Sequence, residues 1–167
     1  MSKRALTKYL QSLDKEELEN QVLELYAKFK PVRDYYGFVF NPKEDKLMEL
    51  ARFKISKEYF PTNGRKPKAR RSVAQKLIKQ YMILELDPSL FSDLMLFNIE
   101  TAIRFNERKP SRQESFFKSI FNSFEQAVEY IQANGLKAVH KERLNTILDS
   151  VFEQEWMNAE GFDRVLG

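Results

Sequence analysis

Helix start and stop signals follow one another so closely along this chain that almost every stretch between them reads as α-helix, and this constrains the fold more than any other feature. Asp14 stands as an N-cap with Glu17 three residues on, a capping-box pattern, while Leu13 and Leu18 occupy hydrophobic-staple positions. Leu18, Val22, Leu25 and Phe29 then keep the spacing of one apolar helical face, and a short basic helix near Lys3 to Leu10 precedes them. Pro31 closes or kinks this helix because it lacks the N–H that the ladder needs. The aromatic-rich stretch 32–40, interrupted by Gly37, reads as a packed turn. Asn41 is placed to cap the next helix, with Pro42 at its first position and Glu44 completing the box, and Leu47, Leu50, Ala51 and Ile55 form its apolar face.

Tyr59-Phe60-Pro61 ends that helix, and a loop holding Gly64 and Pro67 leads into a helix from about Ala69 to Glu85 whose buried side is Val73, Ala74, Leu77, Tyr81 and Leu84. Asp87-Pro88 opens a segment that is apolar on more than one side. That marks it as the central buried element, with Leu90, Leu94, Phe97 and Ile103 in the core. Ser111 with Glu114 makes another capping box, and Phe116, Phe117, Ile120, Phe121, Phe124, Val128 and Ile131 build an amphipathic helix after it. Asn134-Gly135 stops that helix, with Leu136 placed for a Schellman contact. The last long helix runs from about Lys137 to Asn158 through Leu144, Ile147, Leu148, Val151 and Phe152, and the tail from about 159 reads as frayed. The predicted fold is all-α. Six longer helices pair as three antiparallel hairpins beginning near 15, 69 and 112, either stacked as a short α-solenoid-like array, the preferred arrangement, or gathered into an orthogonal bundle.

The chain has 167 residues, enough for one domain spanning 1–167 to bury a core without disulfides or metal. Cysteine is absent, which removes disulfide frameworks, thiolate nucleophiles, Cys-ligated zinc and iron–sulfur clusters together. No run approaches the roughly 20 apolar residues that a membrane span needs. The opening MSKRALTKYLQSLDKEE turns polar directly after its basic start, so it lacks the apolar region of a signal peptide and the expected location is cytoplasmic.

Catalytic constellations are hard to assemble from these residues. His140 is the single histidine, and Lys137 rather than a glutamate lies three residues before it, so the paired Glu-x-x-His motifs of di-iron bundles cannot form. No G-x-S-x-G elbow accompanies it, and neither G-x-G-x-x-G nor G-x-x-x-x-G-K-[ST] occurs. His140 therefore reads as a surface or boundary residue and Trp156 as a packing anchor. The carboxylates Asp14, Glu16, Glu17 and Glu19 complement a helix dipole. No catalytic, metal or cofactor-binding residue is assigned, and no cofactor.

Charge is what this helical grammar does not absorb. The net charge is +4, and the segment from Tyr59 to Leu84 holds Arg65, Lys66, Lys68, Arg70, Arg71, Lys76 and Lys79 with no Asp or Glu, so the remainder of the chain is net acidic. At 100° per residue Lys68, Arg71, Lys76 and Lys79 share one polar sector opposite Val73, Leu77 and Tyr81. Cations also crowd the start of this helix, where the macrodipole disfavours each by roughly 0.3–1 kcal/mol. A local rule broken in this way points to a compensating anion or acidic surface. The alternative is internal compensation by acids of neighbouring helices such as Glu58 or Asp93.

The segments SKRALTKYL, FNPKEDKL, KISKEYFP, KPKARRSVAQKLIK, DPSLFSDLMLFN and NSFEQAVEYI resemble a family of small bacterial proteins classed only as a domain of unknown function, over roughly residues 1 to 150. The resemblance implies a bacterial, cytosolic, helical protein and brings no activity, cofactor or catalytic residue. The residues themselves point to a non-enzymatic helical binding module whose Arg65 to Lys79 surface meets a polyanionic partner, either nucleic acid or an acidic protein. The alternative is a structural or adaptor protein that binds another chain through an apolar groove between helices. An enzyme ranks third, and neither a membrane nor a small-molecule substrate is indicated.

Overall fold

The computed structural model describes residues 1–62 and 64–167, and every regular element among them is an α-helix. The chain length predicts one domain; the packing divides the chain into two compact units, Met1–Pro42 and Lys43–Gly167.

The first unit holds α1 (Lys3–Gln11), α2 (Lys15–Lys28) and α3 (Lys30–Phe40), none of which buries a residue. The capping box before α2 forms as the sequence predicts: Glu17 N donates to Asp14 Oδ1 at 2.8 Å, and Asp14 N donates to Glu17 Oε2 at 2.9 Å. The stretch 32–40 is a helix, not the predicted turn. Phe29 is extended, with φ −116° and ψ 117°, and Pro31 enters the first turn of α3, where its missing N–H costs nothing. The Arg33 guanidinium donates to the carbonyls of Tyr26 (3.1 Å) and Ala27 (2.7 Å), which the end of α2 leaves free. Gly37 sits inside the helix with open space around it.

The second unit holds α4 (Glu44–Tyr59), α5 (Arg71–Met82), α6 (Pro88–Arg108), α7 (Glu114–Ala133), α8 (Lys137–Glu153) and α9 (Ala159–Leu166). Its centre is α6, which packs against α4, α5, α7 and α8. A stack of pairs would give each hairpin only its neighbours. One helix with four partners is a bundle, so the stacked arrangement gives way to its alternative. Leu94 and Ile103 are buried in α6 as predicted, together with Phe91, Met95, Leu96, Ile99 and Ala102, whereas Leu90 and Phe97 are only half-buried at its edges. In α4 the buried face is Met48, Ala51, Ile55 and Tyr59, rotated from the predicted one so that Leu50 is exposed.

Other partners replace two predicted capping boxes. Asn41 makes no cap, α4 begins at Glu44, and the Glu44 carboxylate accepts from Asp87 N at 3.4 Å. Ser111 N donates to the buried Asn106 side chain at 2.8 Å, and no side chain caps α7. The Schellman stop after α7 is present: Leu136 N donates to Ile131 O (2.9 Å) and Gly135 N to Gln132 O (3.1 Å), with Gly135 at φ 69°. The tail is ordered rather than frayed. Phe162 of α9 is fully buried against Phe121, Phe124 and Trp156, and these aromatic contacts hold the last helix on α7.

Candidate functional site

The loop after α4 turns back along the end of that helix, and Glu58 holds it there. The Glu58 carbonyl accepts from both Lys68 N (3.0 Å) and Ala69 N (2.8 Å). Its carboxylate accepts two bonds from one guanidinium, Arg70 Nε to Oε2 at 2.8 Å and Arg70 Nη2 to Oε1 at 2.7 Å. The bidentate fork is the strong form of this pair. It holds the Glu58 carboxyl below its usual range, chiefly through the hydrogen bonds from Arg70. Between the two anchored peptides and the helix start, Ala69 takes a left-handed φ of 46°. A side chain disfavours that conformation, and it persists only where the surroundings impose it.

This fold-back forms a groove of about 370 Å³ between the last turns of α4 and the loop. Lys54, Lys57, Glu58 and Pro61 line one wall, and Arg65, Lys66, Lys68, Arg70 and Val73 the other. Lys54, Lys57, Arg65, Lys66 and Lys68 are exposed, and none makes an ion pair with a described residue. Among the described residues Glu58 is the one carboxylate in the lining, and Arg70 occupies it. The first turn of α5 also borders the groove. That turn carries no acid and no side-chain cap, so its free N–H groups add to the positive field.

The seven cations singled out from the sequence fall into four environments. Arg65, Lys66 and Lys68 line the groove, and none forms an ion pair with a described residue. Arg70 is spent on Glu58, the internal compensation that the sequence offered as the alternative. Arg71 is half-buried with its guanidinium 5.6 Å over the Phe116 ring, on the flank of α5 that faces the core. Lys76 and Lys79 are exposed further along α5, outside the groove lining. Because α5 begins at Arg71, Lys68 lies in the loop and the single helical stripe does not form. Asp93 serves other partners, bridging Arg52 of α4 and Arg143 of α8, and Arg143 also forks onto Glu100. Lys54 and Lys57 were not foreseen. Their i, i+3 spacing puts both on one side of α4, and the loop held by the Glu58 carbonyl makes that side a wall of the groove.

His140 is buried, not at the surface. It is 4% exposed and its Nε2 lies 2.8 Å from Ser92 Oγ, which is itself fully buried and also donates to Ser89 O at 3.0 Å. Burial, followed by the charge of Arg143, pushes the imidazole below its ordinary pKa. A serine with no exposed surface is not placed to attack a substrate, and the pair ties α6 to α8. Among the described residues no three His, Asp or Glu side chains converge as a metal site requires, and no helix is long and apolar enough to cross a membrane.

The chain belongs to DUF6155, a family of unknown function, which it matches over residues 1–167. Neither the curated proteins nor the solved structures hold a significant match to it.

Proposed function

We propose that this member of a family without an assigned activity is a non-enzymatic helical module that binds a nucleic acid through the basic groove beside α4. One observation carries the reading: five cations from two segments, none in an ion pair with a described residue, converge on one concave surface whose single described carboxylate is already occupied. An ordinary solvated face intersperses both signs, whereas like charges held this close gain from a partner that presents several anions at once. A phosphate backbone offers a negative charge at every nucleotide, and its binding is driven by release of condensed counterions. Loop strain at Ala69 supports the same reading, since strained backbone clusters at ligand clamps. The proposal includes a cytoplasmic setting in a bacterium.

The test is charge reversal within the groove. A Lys54→Glu, Arg65→Glu, Lys66→Glu variant keeps every described hydrogen bond and ion pair, so its helicity and denaturant midpoint stay near wild type while oligonucleotide affinity at low salt falls at least about tenfold. If the wild type binds no oligonucleotide at low salt, the nucleic-acid reading is overturned. Retention of an acidic protein by the wild type alone would transfer the groove to that partner.

The adaptor reading keeps second place because of one feature of the first unit. Val22, Leu23 and Tyr26 of α2 line an apolar groove with Tyr36, Gly37 and Phe40 of α3, and Phe40 is 82% exposed. Salt separates the two readings: an apolar contact holds or strengthens as salt rises, whereas phosphate binding weakens.

A further inference from the structure

An exposed aromatic ring lies beside one of the cations that line the basic groove. Phe53 of α4 lies outside the buried face of that helix and is 54% exposed. The Lys57 ammonium, which lines the groove, lies 5.6 Å from the centre of its ring, and the adjacent Lys54 lines the groove as well. Leu50, one turn earlier and 53% exposed, continues the apolar surface along the same side of α4. Ring and cations are thus disposed as they are where proteins bind single strands: a basic groove tracks the backbone, and an exposed aromatic takes the face of a base.

We infer that the groove's ligand is single-stranded nucleic acid, its phosphates held by Lys54, Lys57, Arg65, Lys66 and Lys68 and one base stacked on Phe53. This rests on the nucleic-acid reading above and narrows it. The distance from the Lys57 ammonium to the ring is on the scale that separates a phosphate from its own base, so one nucleotide can meet both. The bases of a duplex are stacked inside it and present no face to an exposed aromatic. Stacking of this kind is indifferent to base identity, because every base has a π-face, so little sequence preference follows.

The experiment compares a short oligothymidine, a duplex of equal length and inorganic polyphosphate, each titrated against wild type, Phe53→Ala, Phe53→Trp and the Lys54→Glu, Arg65→Glu, Lys66→Glu variant. Phe53 is exposed, so its substitutions leave the denaturant midpoint close to wild type. Wild type prefers the single strand to the duplex. Phe53→Ala loses about ten- to a hundredfold in affinity for the single strand, the range expected for one stacked base. Its affinity for polyphosphate is unchanged. Phe53→Trp retains single-strand binding, and oligothymidine quenches its added fluorescence. Equal wild-type affinity for single strand and duplex, or a Phe53→Ala variant that binds the single strand as wild type does, overturns the stacking inference while leaving the polyanion reading intact. Unchanged binding of all three ligands by the charge-reversed variant overturns the polyanion reading itself, and the stacking inference with it.

Discussion

Replacing Phe162 with alanine is the sharpest test of how the C-terminal segment is held. The side chain has no exposed surface, and its ring centre lies 4.7 Å from that of Phe124, 5.2 Å from Phe121 and 6.0 Å from Trp156. Burying such a ring contributes about 1.5–3 kcal/mol, and each well-oriented aromatic pair about 0.5–1.5 kcal/mol more. These contributions overlap, and the loss for a buried Phe→Ala change is about 3–5 kcal/mol. Helix α9 has little means of closing the void. A Cβ added at Gly161 would already stand 3.0 Å from the Phe121 ring, so the helix cannot move closer without displacing that side chain. Against a total stability of about 5–15 kcal/mol, this is a large fraction. Urea titration of wild type and Phe162→Ala, with the slope of each transition compared, measures it. A loss below about 0.5 kcal/mol is what a frayed, unpacked tail would give, and it would refute the packing described for α9.

Other expected outcomes follow from single sites. Leu94→Ala, at a fully buried position in α6, costs about 2–5 kcal/mol in the same titration, and a loss under about 1 kcal/mol would remove α6 from the centre of the bundle. The Tyr59 hydroxyl is buried, has no hydrogen-bond partner among the described residues and is pushed up to about 12 by burial; Tyr59→Phe therefore stabilises by about 1 kcal/mol, and a loss would reveal a bond to it. His140 titrates below its unfolded value of about 6.5 because burial and Arg143 disfavour the cation, despite the opposing pull of Asp93 and Glu100. The unfolded chain then takes up the proton first as pH falls, so stability is lost downward from about 6.5 until the folded pKa is reached. Denaturant midpoints across pH 7 to 5 show this loss for wild type and a flatter profile for His140→Gln; parallel profiles would contradict it.

Features fixed by neighbours in sequence were legible, and those fixed by neighbours in space were not. The Asp14–Glu17 box and the Gly135 stop need only local residues, and both formed. The helical face of α7 carries so many phenylalanines that its orientation is unambiguous, with only Phe121 left half-buried. In α4, Leu47 and Leu50 compete with Met48 and Tyr59 for the core, and periodicity alone picks the wrong set. The stretch 32–40 looked like a turn because Pro31 and Gly37 flag breaks, yet a proline in a first turn starts a helix. The box at 41–44 lost its Glu44 acceptor to Asp87 N, 43 residues away, and the box at 111–114 lost its Ser111 N donor to the side chain of Asn106, which a cap pattern starting at Ser111 does not include. His140 has polar neighbours in sequence and a buried serine in space.

The same division runs through the groove. The charge run supplied Arg65, Lys66 and Lys68, and the possibility of Glu58 as an internal partner was visible beside it. Lys54 and Lys57 join only because the Glu58 carbonyl folds the loop back onto α4, a bond that no spacing encodes.

Whether the groove cations act together on a phosphate backbone is decided by the salt dependence of oligonucleotide binding. With all five groove cations engaged on a single strand, log K falls against log salt with a slope of about −3.5, and neutralising one of them, as in Lys66→Gln, reduces the magnitude by about 0.7. Lys79→Gln, outside the groove lining, leaves the slope unchanged. A wild-type slope near zero, or one that responds to Lys79→Gln and not to Lys66→Gln, would contradict joint action of these cations.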